Sequence, residues 1–261
     1  MKINIAGGNG VMGKTIRPIF ESQGHKVIFS GRNSSPSLEE AARICDLTII
    51  SVPITATKEI IKRVAPHANA LMDFTSLKSF PVESMLKYCK PNCEVGGLHP
   101  LFGEVKSLNG RTVVYCETKK SGKKCLEILN AFQKAGLKII KMNPHEHDLW
   151  LVGFLQNERV NLLEYFFLSL EKSGLGAKEI YEISPPPTKV LMDLVARQVD
   201  EKNDELYQAL QDYNPFTPKV NQHLISILTK KNKTKNPKKI RDWFGEEFLK
   251  ESQERAKKLI G

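Results

Sequence analysis

Residues 3–13 read Ile3-Asn4-Ile5-Ala6-Gly7-Gly8-Asn9-Gly10-Val11-Met12-Gly13, a short apolar strand running directly into Gly8-x-Gly10-x-x-Gly13 and then into a helical pattern. Strand, glycine turn and helix in that order form the dinucleotide-binding fingerprint of an open α/β sheet. Gly8 is expected to permit the tight turn, Gly10 to let the backbone approach a pyrophosphate, and Gly13 to let the helix pack closely on the strand. Unpaired N–H groups at the helix start then face the anion. The run from Gly8 through Asn9, Gly10, Val11 and Met12 to Gly13 is the expected phosphate cradle. A plain glycine-rich turn is the alternative, and the flanking strand and helix weigh against it.

The pattern that follows keeps alternating. Helices are expected over 13–23, 37–44, 56–64, 81–86 and 122–135, and strands over 25–30, 47–52, 70–74, 94–98, 112–116 and 138–142. Ser37 and Glu40 have the spacing of a capping box. The near-continuous apolar run 47–52 is of the kind buried on both faces of a parallel sheet. From about Pro144 strand-like runs vanish and helical periodicity takes over in 147–172, 187–197, 204–213 and 240–259. The expectation is an α/β chain, with a Rossmann-type doubly wound sheet over 1–143 and an all-helical domain over 144–261. Leu162, Leu163, Phe166, Phe167 and Leu170 are too many apolar residues for a one-sided surface helix, which predicts burial on several sides.

With 41% hydrophobic residues among 261, the chain can bury a sizeable core. The 5 cysteines lack paired Cys-x-x-Cys spacing, so reduced thiols and no metal are expected. A strand at the very start predicts no secretory or transit peptide, and no apolar run is long enough to span a bilayer, which together predict a cytoplasmic protein. Much of the net charge of +10 sits in Lys230, Lys231, Lys233, Lys235, Lys238, Lys239 and Arg241. No aromatic residues interleave with them as in a nucleic-acid groove, and a solvated basic loop over 232–239 is the favoured reading. Neither nucleic acid nor membrane is expected as a partner.

In this fold an acidic residue at the end of the second strand selects NAD by holding the ribose hydroxyls. Here that place reads Ser30-Gly31-Arg32-Asn33, with no carboxylate to repel a 2′-phosphate. Ser30 can donate a hydrogen bond to that phosphate and Arg32 can pair with it, which predicts NADP, with NAD as the lesser possibility. A solvent-facing loop arginine is the alternative for Arg32. Ligands in open α/β sheets sit beyond the carboxyl ends of the strands. Ser51-Val52-Pro53 lies there and is expected to line the cofactor, as do the stretches Asp73-Phe74-Thr75-Ser76-Leu77-Lys78 and Gly96-Gly97-Leu98-His99-Pro100-Leu101-Phe102-Gly103. His145-Glu146-His147-Asp148 opens the helical part.

Taken with the fingerprint, these stretches resemble the prephenate and arogenate dehydrogenases of tyrosine biosynthesis, over nearly the whole chain. Gly97 to Gly103 is the most specific part. The resemblance implies an NAD(P)-dependent oxidative decarboxylation of prephenate to 4-hydroxyphenylpyruvate, or of arogenate to tyrosine. It implies a stand-alone enzyme, without mutase or regulatory domain. His99 is then the acceptor of the substrate hydroxyl proton, Ser76 hydrogen-bonds near the same hydroxyl, Lys78 stands close by as a substrate cation, and His147 matches the family's Glu-His-Asp motif. On residue type alone, Ser76 would be a turn residue, Lys78 a surface charge and His147 a helix-entry histidine. The family generally presents an arginine for the substrate carboxylates where this chain has Lys189, with Arg197 and Arg159 able to substitute. Arg159 falls where many relatives have a second histidine. A homodimer formed through the helical domain is expected. Two other readings are another small NADP-linked dehydrogenase of β-hydroxyacid or imine reductase type, and a non-catalytic NADP-binding protein.

Overall fold

A computed structural model describes residues 1–199, 201–229 and 237–260. Lys230, Lys231, Lys233 and Lys235, and most of the expected basic loop, lie outside the described residues.

The first strand and helix, β1 (Lys2–Ala6) and α1 (Val11–Glu21), are followed by β2 (Lys26–Ser30), α2 (Leu38–Ile44), β3 (Leu47–Ile50), α3 (Ile54–Val64), β4 (Ala70–Asp73) and α4 (Ser79–Tyr88). Then come β5 (Glu94–Pro100), β6 (Thr112–Cys116), α5 (Lys123–Lys134) and β7 (Lys138–Lys141). The strands form one 7-stranded sheet in the order β2-β1-β3-β4-β5-β6-β7. All neighbours run parallel except β5 and β6, which pair antiparallel. The order reverses between β1 and β3, and this switch point is where such sheets open a ligand crevice. Register draws Ala6, Ser30, Ile50, Asp73 and Gly97 level across the sheet, so the segments following them all emerge at one edge.

Both faces of the sheet are covered, as the unbroken apolar strands require. Side chains alternate along a strand, so each strand feeds two cores. Ile3 and Ile5 of β1 with Leu47 and Ile49 of β3 join Ile16, Phe20, Ile128 and Phe132 of α1 and α5. Ala6 and Ile50 join Leu38, Ile61, Val64, Val82 and Met85 of α2, α3 and α4 on the other face. The capping box expected at Ser37 and Glu40 is formed at the start of α2. All of Cys45, Cys89, Cys93, Cys116 and Cys125 are buried free thiols.

The chain then turns helical, through α6 (Pro144–Glu146), a π-helix (His147–Asn157), α7 (Glu158–Glu171), α8 (Ala177–Ile183), α9 (Pro186–Gln198), α10 (Glu201–Tyr213), α11 (Thr217–Thr229), α12 (Pro237–Phe244) and α13 (Glu246–Ile260). None of these is long and apolar enough to cross a membrane. Two compact units result, Met1–Gly153 with Gln208–Phe216, and Phe154–Tyr207 with Thr217–Gly261. The first unit thus reaches 10 residues beyond the expected boundary at 143 and regains the end of α10. Asn214 of that unit's second segment is hydrogen-bonded to Asp148 of its first, as described below.

In the helical unit α7 packs on α9, and Gln198 donates to the Val160 carbonyl at 3.3 Å. The apolar stretch of α7 is covered on one side only. Leu163 is 6% exposed while Leu162 and Phe167 are 48% and 46% exposed, which corrects the expectation of burial on several sides within the chain.

Candidate active site

At the end of β1 the tight turn belongs to Gly7, with φ +83°, and not to Gly8 as expected. A side chain at Gly7 would also meet the Ser51 carbonyl at 2.3 Å. Gly8 is required for a different reason, since a Cβ there would lie 2.3 Å from the Phe29 ring of β2. At Gly13 a Cβ would lie 2.2 Å from the Gly8 carbonyl oxygen, so this glycine does let α1 close onto the turn. A Cβ at Gly10 would meet the Gly7 carbonyl oxygen at 3.4 Å, an ordinary contact, and Gly10 begins α1 with no side-chain cap. The first N–H groups of a helix have no partner within it, so Val11, Met12 and Gly13 present donors to an anion. Beside this cradle the Ser30 hydroxyl is buried without a hydrogen-bond partner, and Arg32 is exposed in the turn after β2. The glycine turn and uncapped donors fit a dinucleotide pyrophosphate, and the orphaned Ser30 hydroxyl stands beside them as a further donor.

Further along the same edge, β5 carries His99, which is 5% exposed. The His99 Nδ1 lies 2.9 Å from Nε2 of His147, the first residue of the π-helix, and the His147 Nδ1 lies 2.8 Å from Oδ1 of Asp148. Asp148 also accepts the backbone N–H of Lys78 on Oδ1 at 2.7 Å and that of Ser79 on Oδ2 at 2.8 Å. It therefore caps α4, whose own N-cap residue Lys78 supplies no side-chain cap. Asn214, just after α10, donates to the Asp148 carbonyl at 2.9 Å. These bonds lie within the first unit, which runs to Gly153 and includes the 208–216 segment.

This chain of bonds fixes where the protons sit. Burial works to raise the Asp148 carboxyl, but the bonds from His147 and Ser79 outweigh it and hold the group below the ordinary aspartate range. An ionised carboxylate only accepts, so His147 Nδ1 donates to it. Burial keeps His147 neutral against the pull of Asp148, which leaves its Nε2 an acceptor. His99 Nδ1 must then carry the hydrogen, and His99 Nε2 is left with a free lone pair. Burial, with the neighbouring His147 ring and the Lys78 ammonium, holds His99 well below the usual histidine value. The arrangement is a neutral imidazole base oriented by a second histidine and a carboxylate, a geometry suited to accepting a proton from a bound hydroxyl.

The signature of the prephenate dehydrogenase nucleotide-binding domain matches residues 12–141. The chain belongs to the prephenate and arogenate dehydrogenase family. A probable arogenate/prephenate dehydrogenase of Methanocaldococcus jannaschii is 28% identical over 250 residues, covering 87% of this chain and 55% of that protein. A T-protein of Haemophilus influenzae is 28% identical over 279 residues, covering 97% of this chain and 70% of that one. The chain thus spans only about half the length of the first of these relatives. Prephenate dehydrogenase from A. aeolicus, solved with hydroxyphenyl propionate and NAD+, shares the fold with TM-score 0.66 at 18% identity, over 98% of this chain and 96% of that one. Synechocystis arogenate dehydrogenase gives TM-score 0.59 at 18% identity over 99% of both chains.

The structure joins only some of the residues expected from sequence. His99 and His147 are in direct contact. Ser76 lies partly exposed on the turn between β4 and α4, while Ser51, Val52 and Pro53 follow β3 at the switch point. Lys78 is turned inward and 0% exposed, its ammonium bonded to Asp73 and, at 2.8 Å, to the Leu98 carbonyl. The expectation of a substrate-facing cation gives way there to an internal one, because both acceptors lie inside the sheet edge. Arg159 stands exposed in the first turn of α7, Arg197 exposed in the last turn of α9, and Lys189 on α9 places its ammonium 5.1 Å from the Tyr181 ring centroid. Asp148, Asp73 and Asn214 escaped sequence reasoning as site residues. Asp148 had a signal, since it directly follows His147 in the quoted motif.

Neutral buried histidines make stability depend on pH. Below the ordinary histidine value of about 6.5 the unfolded chain binds protons that folded His99 and His147 refuse. Unfolding free energy is therefore expected to fall as pH drops below about 6.5, by up to about 1.4 kcal/mol per pH unit for each histidine kept neutral. Urea unfolding of the parent and of His99→Gln checks this, and the variant should show the shallower acid slope.

Proposed function

We propose that the chain oxidatively decarboxylates prephenate or arogenate in tyrosine biosynthesis, with NADP as cofactor. The observation that carries the reading is the Asp148, His147 and His99 relay, which leaves His99 Nε2 as an acceptor at the sheet edge that bears the glycine cradle. The cofactor supplies a nicotinamide ring that accepts hydride from the substrate carbon bearing the hydroxyl. His99 Nε2 takes the hydroxyl proton. Charge gained by the imidazole is shared with His147 and balanced by Asp148. The bond to the ring carboxylate breaks, carbon dioxide leaves, and its electron pair completes the aromatic ring as a phenolate that takes the proton back, so the protein has chiefly to position the reactants and hold the proton in between. Ser76 is assigned to the same hydroxyl. Lys189, Arg197 and Arg159, all in the helical unit, are assigned to the carboxylates. The half-exposed Leu162, Phe167 and Leu168 of α7 are assigned to contact with a second copy, making a homodimer.

The choice of NADP rests on Ser30 and Arg32. Arg32→Gln is expected to weaken NADP binding roughly tenfold or more, the loss typical of one charge-assisted hydrogen bond, and to leave NAD binding unchanged. Equal losses for both cofactors in titration calorimetry would remove the assignment. The reaction itself is tested by steady-state assay of prephenate and of arogenate, each with NAD and with NADP, following the reduced nicotinamide by absorbance. Turnover is expected with NADP and one of the two substrates. Silence in all combinations, with nucleotide binding intact, would refute the reading.

A further inference from the structure

We propose that Lys78 is a positioning residue for His99, fixing the strand on which the histidine stands and placing a positive charge beside the imidazole pair. The proposal rests on the reading of His99 as the base. Lys78 touches both ends of the relay. Its backbone N–H donates to Asp148 Oδ1, the same oxygen that accepts His147 Nδ1–H. Its ammonium donates to the carbonyl of Leu98, the residue before His99. One residue therefore ties the carboxylate terminus of the relay to the peptide that carries its imidazole terminus.

Three features mark this as a built arrangement. Lysine is almost never fully buried unless paired, and Lys78 is 0% exposed against an equally buried Asp73. The stem needs a gap in β5, and Gly97 provides it, since a Cβ there would lie 3.2 Å from Lys78 Cδ and 2.8 Å from Val82. The pair is also poor as a structural bridge. Asp73 Oδ1 has no hydrogen-bond partner, and a buried ion pair with an unsatisfied oxygen gains little over apolar residues of the same volume. Burial accordingly raises the Asp73 carboxyl despite the adjacent ammonium. Stability alone does not account for the pair. The titratable groups around His99 are Asp73 at the end of β4, Lys78 before α4, His147 and Asp148 of the π-helix, and Cys116 of β6, whose thiol is pushed up to about 12 by burial and is neutral. Among these Lys78 is the nearby fixed cation, and it opposes protonation of both imidazoles.

The test is a histidine NMR titration of the full chain, with the His99 signals assigned by their loss in His99→Asn. Lys78→Met is expected to move the His99 midpoint upward by about half a unit or more, toward the ordinary histidine value. In the same variant kcat should fall roughly tenfold, with the acid limb of its pH profile displaced upward and NADP affinity retained. If Lys78→Met does not fold, Lys78→Met/Asp73→Asn, which leaves no buried charge unpaired, is read in its place with the same expectation. A folded variant in which His99 titrates as in the parent overturns the proposal, even if kcat falls, because loosened packing alone would do that. The titration needs no substrate. A parent inactive on both cyclohexadienyl substrates would defeat the reading of function, whereas an active parent with an unmoved His99 midpoint in the variant would defeat only the role of Lys78.

Discussion

His99→Asn is expected to lower kcat by roughly two orders of magnitude or more while NADP affinity stays within a few fold, the signature of a lost general base. An asparagine amide can still donate to His147, so the relay keeps its hydrogen bond. What disappears is the lone pair at the position of Nε2. The parent kcat should decline on the acid side below the ordinary histidine range, because burial, His147 and Lys78 all disfavour the imidazolium. The residual activity of the variant should lack that limb. Stopped-flow turnover together with nucleotide titration separates the two effects, and a variant with parental kcat would remove His99 from the chemistry.

Asp148→Asn is expected to affect both rate and stability. The carboxylate accepts from His147, Lys78 and Ser79, and an amide cannot accept on both of its terminal atoms. With the amide oxygen turned to His147 and Lys78, the Ser79 N–H faces a donor. An unsatisfied buried donor costs about 1–3 kcal/mol, which urea unfolding would register. With the amide reversed, His147 loses the acceptor that sets its tautomer. In either orientation no negative charge balances the imidazolium that forms when His99 takes a proton. A fall in kcat of roughly tenfold to a hundredfold follows, in line with loss of an orienting carboxylate behind a histidine base. A stable variant with unchanged kcat would show that the carboxylate serves only to cap α4.

The sheet was legible in the sequence because parallel strands covered on both faces read as short unbroken apolar runs, and 47–52 with the glycine fingerprint pointed to a doubly wound sheet, though not to its strand order. The glycine assignments were less legible. Gly7 precedes the matched pattern yet takes the positive φ, and the demand on Gly8 comes from Phe29, a residue on another strand. Helices α8 and α11 were passed over. Ala177–Ile183 is short, and Thr217–Thr229 buries only Val220, so neither writes a strong apolar stripe. His99 and His147 were both legible as residues of the site, but their contact was not. It spans 48 positions, and the Asp148 bond to the Lys78 backbone spans 70, distances over which local pattern carries no information. Lys78 is expected from sequence to face the substrate, or on residue type alone to be a surface charge, since a lysine in a turn usually points outward. Only the Gly97 gap and the Asp73 carboxylate reveal the inward path.

Asn214 gives the chain an order of assembly. The residue that anchors the Asp148 carbonyl is made only after residues 154–207, which fold into the other unit. During synthesis the sheet, the glycine turn and all three donors to the Asp148 carboxylate are therefore made before the Asp148 carbonyl gains its anchor. A fragment ending at Gly153 would contain every side chain of the relay and still lack that anchor. A segment that reads in sequence as the middle of a helical domain thus supplies a backbone anchor behind the proton relay.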